Sequence, residues 1–125
     1  MNIDSKLILV VDDYEDDRRL VRKILEKNGF AVDEASGWKE ALLMVKNKKI
    51  DLILLDLNMP EVSGYELLGV LRQEKTNKEL PIIIYSSMPK NDDEINVYKP
   101  DGFVSKYSSP NELVSLIQSV LSGKN

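Results

Sequence analysis

Leu7-Ile8-Leu9-Val10-Val11-Asp12-Asp13 decides the fold. An unbroken apolar run rich in β-branched residues stops abruptly at two carboxylates. Such a run has the pattern of a strand covered on both faces, and it is far too short to span a bilayer. Leu52-Ile53-Leu54-Leu55 repeats the pattern and stops at Asp56. Ile82-Ile83-Ile84-Tyr85 repeats it again, after Pro81, and stops at Ser86.

Between these runs the apolar period changes from strand to helix. Leu20, Val21, Ile24 and Leu25 form one helical stripe, ended by Asn28-Gly29. Phe30–Glu34 reads as a second strand, and Trp38, Ala41, Leu42 and Val45 as the stripe of a second helix. Ser63-Gly64-Tyr65-Glu66 is a capping-box pattern that opens a third helix burying Leu67, Leu68 and Leu71. A weak helical segment falls within Asp92–Tyr98, and Phe103–Ser105 is a short fifth strand. Ser109-Pro110-Asn111-Glu112 opens the last helix, which buries Leu113, Leu116, Ile117, Val120 and Leu121 before a polar tail at 122–125.

Five strand–helix units in a row predict an α/β domain over residues 1–125, with one doubly wound parallel sheet. Right-handed crossovers leave few topologies, and the order 2-1-3-4-5 of flavodoxin-like (βα)5 folds is the familiar one. In such sheets ligands bind beyond the carboxyl ends of the strands, at the switch point between strands 1 and 3.

Composition removes several kinds of chemistry. The 125 residues contain no His and no Cys, which excludes Ser-His-Asp triads, His-ligated metals, disulfides and thiolate catalysis in this stretch. The formal charge of −4, with no concentrated basic face, speaks against direct nucleic-acid binding. Lys46–Lys49 reads as a solvated helix end. The polar start, Met1 to Lys6, does not resemble a signal peptide. The expectation is a cytoplasmic protein without membrane insertion.

The strand ends carry the functional reading. Asp12-Asp13, Asp56, Ser86 and Lys106 end strands 1, 3, 4 and 5. Each has an ordinary reading by itself: an N-cap for Asp12 or Asp13, a turn for Asp56, a loop hydroxyl for Ser86, a surface cation for Lys106. Those readings leave unexplained why these types occur together at strand ends that must meet. Two carboxylates about 4 Å apart repel by roughly 4 kcal/mol at an effective dielectric near 20. Three together need a counter-charge or a raised pKa. Hard oxygen ligands suit Mg²⁺, and an aspartate can act as nucleophile toward a phosphoryl group.

The ordered set Asp12-Asp13, Asp56-Leu57-Asn58-Met59-Pro60 with Gly64, Pro81 to Ser86, and Gly102-Phe103-Val104-Ser105-Lys106 resembles the receiver domains of two-component response regulators. The resemblance covers essentially the whole chain. It implies a phosphorelay switch that takes a phosphoryl group onto Asp56 from a sensor histidine kinase or phosphotransfer protein. It implies Mg²⁺, or Mn²⁺, on Asp13, Asp56 and the Asn58 backbone carbonyl, with Asp12 acting through a water. Ser86 and Lys106 would bind the phosphoryl group and Phe103 would reorient inward, while Asn58 and Met88 occupy positions that tune the dephosphorylation rate. Output to a partner protein would pass through the face formed by helix 4, strand 5 and helix 5, from a monomer or weak dimer.

Departures from the pattern are local. Tyr107 stands where proline usually follows the lysine, so the bond at Lys106–Tyr107 is expected either trans with a rearranged loop or strained. The stretch from Ser86 to Lys106 is short and its middle, Lys90 to Tyr98, is polar, which predicts a short or irregular fourth helix and an atypical output surface. Phe103 offers no hydroxyl at the aromatic position. Three other functions compete with the switch. An Asp-nucleophile phosphatase wants a second acid two residues after the nucleophile, where Asn58 stands. A flavin carrier wants a phosphate loop where Asp12 to Asp17 would repel one. A degenerate receiver acting only as an interaction module would have no need of the intact acidic set.

Overall fold

The computed structural model describes residues 5–123. The expectations for Met1 to Asp4 and for residues 124–125 lie outside them. Elements alternate as β1 (Leu7–Val11), α1 (Glu15–Lys27), β2 (Ala31–Ala35), α2 (Trp38–Asn47), β3 (Leu52–Leu55), α3 (Gly64–Gln73), a 3₁₀ turn (Lys75–Asn77), β4 (Ile82–Ser86), α4 (Asp92–Tyr98), β5 (Gly102–Ser105) and α5 (Pro110–Leu121). All strands are parallel, in the order β2-β1-β3-β4-β5. The fold class and strand order read from the sequence are those of the structure.

The unbroken apolar runs have a simple cause. Alternate residues of one strand point to opposite faces, and each face has its own cover. Leu9, Val11, Ile53, Leu55, Ile82 and Ile84 pack with Ala41 of α2 and Leu67, Leu68 and Leu71 of α3. Ile8, Val10, Leu52, Leu54, Ile83 and Tyr85 pack with Val21 and Leu25 of α1 and Leu113, Ile117 and Val120 of α5. Neither face is left for polar residues, so none occur between Leu7 and Val11 or between Leu52 and Leu55.

Local signals at the helix ends also hold. Ser63 accepts from the Glu66 N–H at 3.3 Å while its own N–H donates to Glu66 Oε1 at 3.1 Å, a complete capping box. Ser109 accepts from the Glu112 N–H at 3.2 Å, with Pro110 at the first helical position. Gly29 has φ +90°, and its N–H donates to Glu26 O, closing α1 in the left-handed conformation glycine tolerates. As expected, α4 is short, 7 residues, and it ends at Lys99 in the left-handed conformation (φ 52°) just before Pro100.

Several boundaries and faces differ from the reading above. β2 begins at Ala31, because the Phe30 N–H is taken by Leu25 O at the end of α1 and Leu7 pairs with Ala31. β4 runs on to Ser86 and β5 begins at Gly102, extended by the pairs Ser86–Ser105 and Ile83–Gly102. Leu20 is 58% exposed; Val21 and Leu25 alone of that stripe are fully buried, because the sheet covers a narrower arc of α1 than the apolar pattern allows. Leu116 and Leu121 are likewise only partly buried, and Val114 takes a core place. Ser122 is less a free tail than a cap, its N–H donating to Gln118 O.

The loop through the 3₁₀ turn was not anticipated, and one side chain holds it. Arg72 donates through Nη1 to the carbonyl oxygens of Asn77 (3.2 Å) and Leu80, and through Nη2 to Asp101 Oδ2 at 2.7 Å. The same Asp101 oxygen accepts the Ile82 N–H at 2.8 Å, tying the starts of β4 and β5 together. Arg72→Ala is expected to lower stability by about 2 kcal/mol, since partly buried acceptors lose charge-assisted donors. A urea midpoint unchanged within error would show the clamp to be dispensable.

Candidate functional site

Backbone ladders bring the acids together before any side chain acts. The Asp12 N–H donates to Ala35 O at 3.0 Å, and the Asp56 N–H to Val11 O at 2.9 Å. Both residues therefore continue their strands by one step and stand side by side at the carboxyl edge. One oxygen from each of Asp12, Asp13 and Asp56 lies within 4.8 Å of the others. Asp12 and Asp56 are buried (3% and 5% exposed), while Asp13 faces solvent.

Lys106 arrives from the other side of the sheet. Its N–H donates to Ser86 O at 2.9 Å, continuing the β4–β5 ladder past Ser105. Its Nζ donates to Asp12 Oδ2 at 2.6 Å and to Asp17 Oδ2 at 2.7 Å, and lies 3.6 Å from Asp56 Oδ2. The bond to Tyr107 is trans, and Ser108 N–H closes a turn onto Ser105 O.

The ordinary and the functional readings of Asp12 both apply. Its Oδ1 accepts the Tyr14 N–H at 2.9 Å and shapes the entry to α1, whose N-cap, Tyr14, has no side-chain cap of its own. Its Oδ2 faces the ammonium. Asp56 has no such relief. Burial, reinforced by the neighbouring Asp12 charge, pushes its carboxyl up to about 6. The Lys106 ammonium and the backbone N–H groups of Asn58 and Leu57 offset only part of that. Burial also works against the charge of Lys106, but its hydrogen bonds to Asp12 and Asp17 outweigh it and hold the ammonium above its ordinary pKa.

One ammonium thus faces three carboxylates, those of Asp12, Asp17 and Asp56, and Asp13 lies beside two of them. Asp12, Asp13 and Asp56 offer closely spaced hard oxygen atoms, and burial makes the charged form of Asp56 costly. That donor set fits a small divalent cation such as Mg²⁺, which takes few carboxylates and keeps open positions.

The other predicted residues stand around this centre. Ser86 is fully buried at the end of β4, its Oγ accepting the Met88 N–H at 3.0 Å. Asn58 is exposed, and Met88 is half exposed. Phe103 is partly buried, with Lys90 Nζ 5.9 Å from its ring centroid. Met88, Lys90, Phe103 and Glu112 help line a cavity of about 420 Å³ beside the β4–α4 loop.

Sequence reasoning missed Asp17 and Arg18. Arg18 donates to the Asp12 carbonyl at 2.6 Å and to Glu34 at 3.0 Å, fixing the turn that carries both acids. The signal was available: Asp17 lies one helical turn beyond Asp13, on the part of α1 that starts at the strand ends.

Comparison with known proteins agrees with this geometry. A family model described as the response regulator receiver domain matches residues 8–118. The chain is 34% identical over 119 residues to the phosphate regulon transcriptional regulatory protein PhoB of Pseudomonas aeruginosa, covering 94% of this chain and 52% of that one. It is 37% identical over 116 residues to the transcriptional regulatory protein ResD of Bacillus subtilis, covering 91% and 47%. The chain spans about half the length of these two regulators. Among solved structures, the chemotaxis protein CheY4 of Vibrio cholerae superposes with a TM-score of 0.87 at 27% identity, covering 93% of this chain and 98% of that one. The response regulator TrrA of Thermotoga maritima, solved in complex with Mg²⁺-BeF, gives 0.84 at 31% identity, covering 92% and 98%. With the acidic edge and the 2-1-3-4-5 sheet already in place, the chain belongs to the response regulator receiver domain family of two-component signalling.

Proposed function

We propose that the chain is a Mg²⁺-dependent phosphoacceptor switch with Asp56 as the acceptor. The observation that carries this is the convergence of Asp12, Asp13 and Asp56, one oxygen of each within 4.8 Å of the others, with Lys106, whose Nζ lies 3.6 Å from Asp56 Oδ2. Asp13, Asp56 and the Asn58 carbonyl would hold the metal, with Asp12 reaching it through a water; Mn²⁺ has the same ligand preferences. When bound, the metal supplies counter-charge for the acids and for the transferring phosphoryl oxygens.

The chain's own groups do the rest. An Asp56 oxygen attacks the phosphorus of a phosphohistidine on a kinase or phosphotransfer protein. The P–N bond breaks as the P–O bond forms, and the proton on the second ring nitrogen stays with the imidazole. Burial keeps water away from the acyl phosphate. Lys106, with two N–H groups engaged and Nζ 3.6 Å from Asp56 Oδ2, has a third N–H to donate to a phosphoryl oxygen. Ser86 already accepts from Met88, which leaves its hydroxyl proton free to donate to the phosphoryl group. Closure of Ser86, with Phe103 moving into the space below the β4–α4 loop, changes the face formed by α4, β5 and α5. That face exposes Val97 (72%) and, beside β5, Tyr107 (83%) to a protein partner. Asn58 and Met88, at the mouth of the site, set access of water to the acyl phosphate.

Intact-mass spectrometry after incubation with acetyl phosphate tests this reading. Wild type is expected to gain one phosphoryl group only with Mg²⁺, and Asp56→Asn none. A folded, Mg²⁺-binding wild type that gains no mass would make the chain an interaction module on a receiver fold instead.

A further inference from the structure

Asp17 has no part in the chemistry above, yet it makes one of the two close contacts of Lys106: 2.7 Å, against 3.6 Å from the ammonium to Asp56 Oδ2. An ammonium has three N–H donors. Asp12 and Asp17 engage two of them, and Asp56 Oδ2, at 3.6 Å, lies beyond hydrogen-bonding distance.

The two partners of Lys106 differ in what it costs to leave them. The Asp12 side chain is 4% exposed and the Asp17 side chain 35%. Losing the ammonium would strand Asp12 as a buried anion, an expensive state, whereas Asp17 can take water in its place. Asp17 is therefore the exchangeable partner. It sits in the first turn of α1, across the site from β5, so its pull on Lys106 runs to the α1 side.

We propose that Asp17 is a positioning residue that competes with the phosphoryl group for the Lys106 ammonium and so weakens the phosphorylated state of the switch. The proposal rests on the phosphoacceptor reading of Asp56. In the unmodified protein, Asp17 holds Lys106 back from the acceptor carboxylate. Full engagement of a phosphoryl oxygen then requires the Asp17 bond to loosen. Asp17→Asn keeps the shape and an acceptor oxygen but removes the charge, so Lys106 turns to the anion more readily.

Beryllofluoride with Mg²⁺, a stand-in for the aspartyl phosphoryl group, provides the test by calorimetric titration. Wild type is expected to bind, Asp17→Asn to bind about fivefold more tightly, the scale of a partly exposed ion pair, and Asp17→Glu to behave as wild type. In a Lys106→Met background, Asp17→Asn should bring no gain. Equal or weaker binding by Asp17→Asn would overturn the role of Asp17 while leaving the phosphoacceptor reading intact. A full gain in the Lys106→Met background would also overturn it, because bare charge repulsion would then suffice. No binding by wild type would overturn the phosphoacceptor reading, and this proposal with it.

Discussion

Gly64→Ala is expected to lower stability by about 3 kcal/mol, near the upper end of what overpacking costs. A Cβ on Gly64 would lie 2.3 Å from the Asp56 carbonyl oxygen, 2.9 Å from the Leu57 Cα and 3.0 Å from the Asp56 carbonyl carbon. All three are backbone atoms, so no rotamer change relieves the clash. The Gly64 N–H also donates to Leu57 O at 3.1 Å, which pins the start of α3 to the end of β3 and leaves little room to retreat. The strain falls on Asp56, whose carboxylate belongs to the acidic cluster. Mg²⁺ affinity should fall along with the melting temperature. Two other glycines serve as controls. An added Cβ at Gly37 meets nothing within 4 Å, and that substitution should change stability by less than about 0.5 kcal/mol. At Gly69 it meets only the Tyr98 ring, at 3.2 Å and 3.4 Å, a side chain able to shift, so the loss should be intermediate. Equal stability of the Gly64 and Gly37 variants in denaturant melts would show that the β3–α3 junction yields freely.

Asp56→Asn is expected to stabilise the metal-free protein by about 2 kcal/mol at pH 7.5, and by almost nothing at pH 4. In the folded chain the Asp56 carboxyl is pushed up to about 6 from an ordinary 3.8. A raised folded pKa means that the folded state favours the proton. The associated stability is fully present below pH 3.8, is lost as pH rises through about 6, and stays lost above. A shift of this size corresponds to about 3 kcal/mol at most, at 1.36 kcal/mol per unit. Asparagine recovers less than that, because its amide NH₂ faces the Leu57 and Asn58 N–H donors that serve the carboxylate. Added Mg²⁺ should reverse the order, since it stabilises wild type by binding and the variant far less. Melting curves of both proteins in chelator, from pH 4 to 8, measure the gap directly. A gap that is constant with pH would mean that Asp56 ionises in the fold without penalty.

Both expectations bear on Asp56, one through the close approach of Gly64 to its carbonyl and one through its burial. Placing Asp56 at a strand end between two covered faces makes its bare carboxylate costly. Lys106 and the Leu57 and Asn58 N–H groups are what the fold offers in compensation.

The sequence by itself determined the sheet, its strand order and the identity of the converging acids. Those features follow from short-range rules. An apolar run must be covered on both faces, a helical period must bury one stripe, and alternation with right-handed crossovers leaves few orders, of which 2-1-3-4-5 is the familiar one. Asp12, Asp13, Asp56, Ser86 and Lys106 were legible because each stands at or just past the end of a strand read from the sequence. The capping motifs at Ser63 and Ser109 were legible because caps are local. The tertiary structure decided the rest. Leu20 looked like a core residue and is exposed, because the width of the covered arc depends on how α1 lies on β1 and β2. β2 lost Phe30 to the hydrogen bond that ends α1. Arg72 became a clamp only when Asp101, 29 positions away, was brought beside it. Above all, the choice of partners for Lys106, which is 94 positions from Asp12 and 89 from Asp17, is set by packing between elements that share no sequence signal. Local pattern fixes which face a residue presents, but a hydrogen-bond length between distant chain segments is fixed only when the whole core has closed around them.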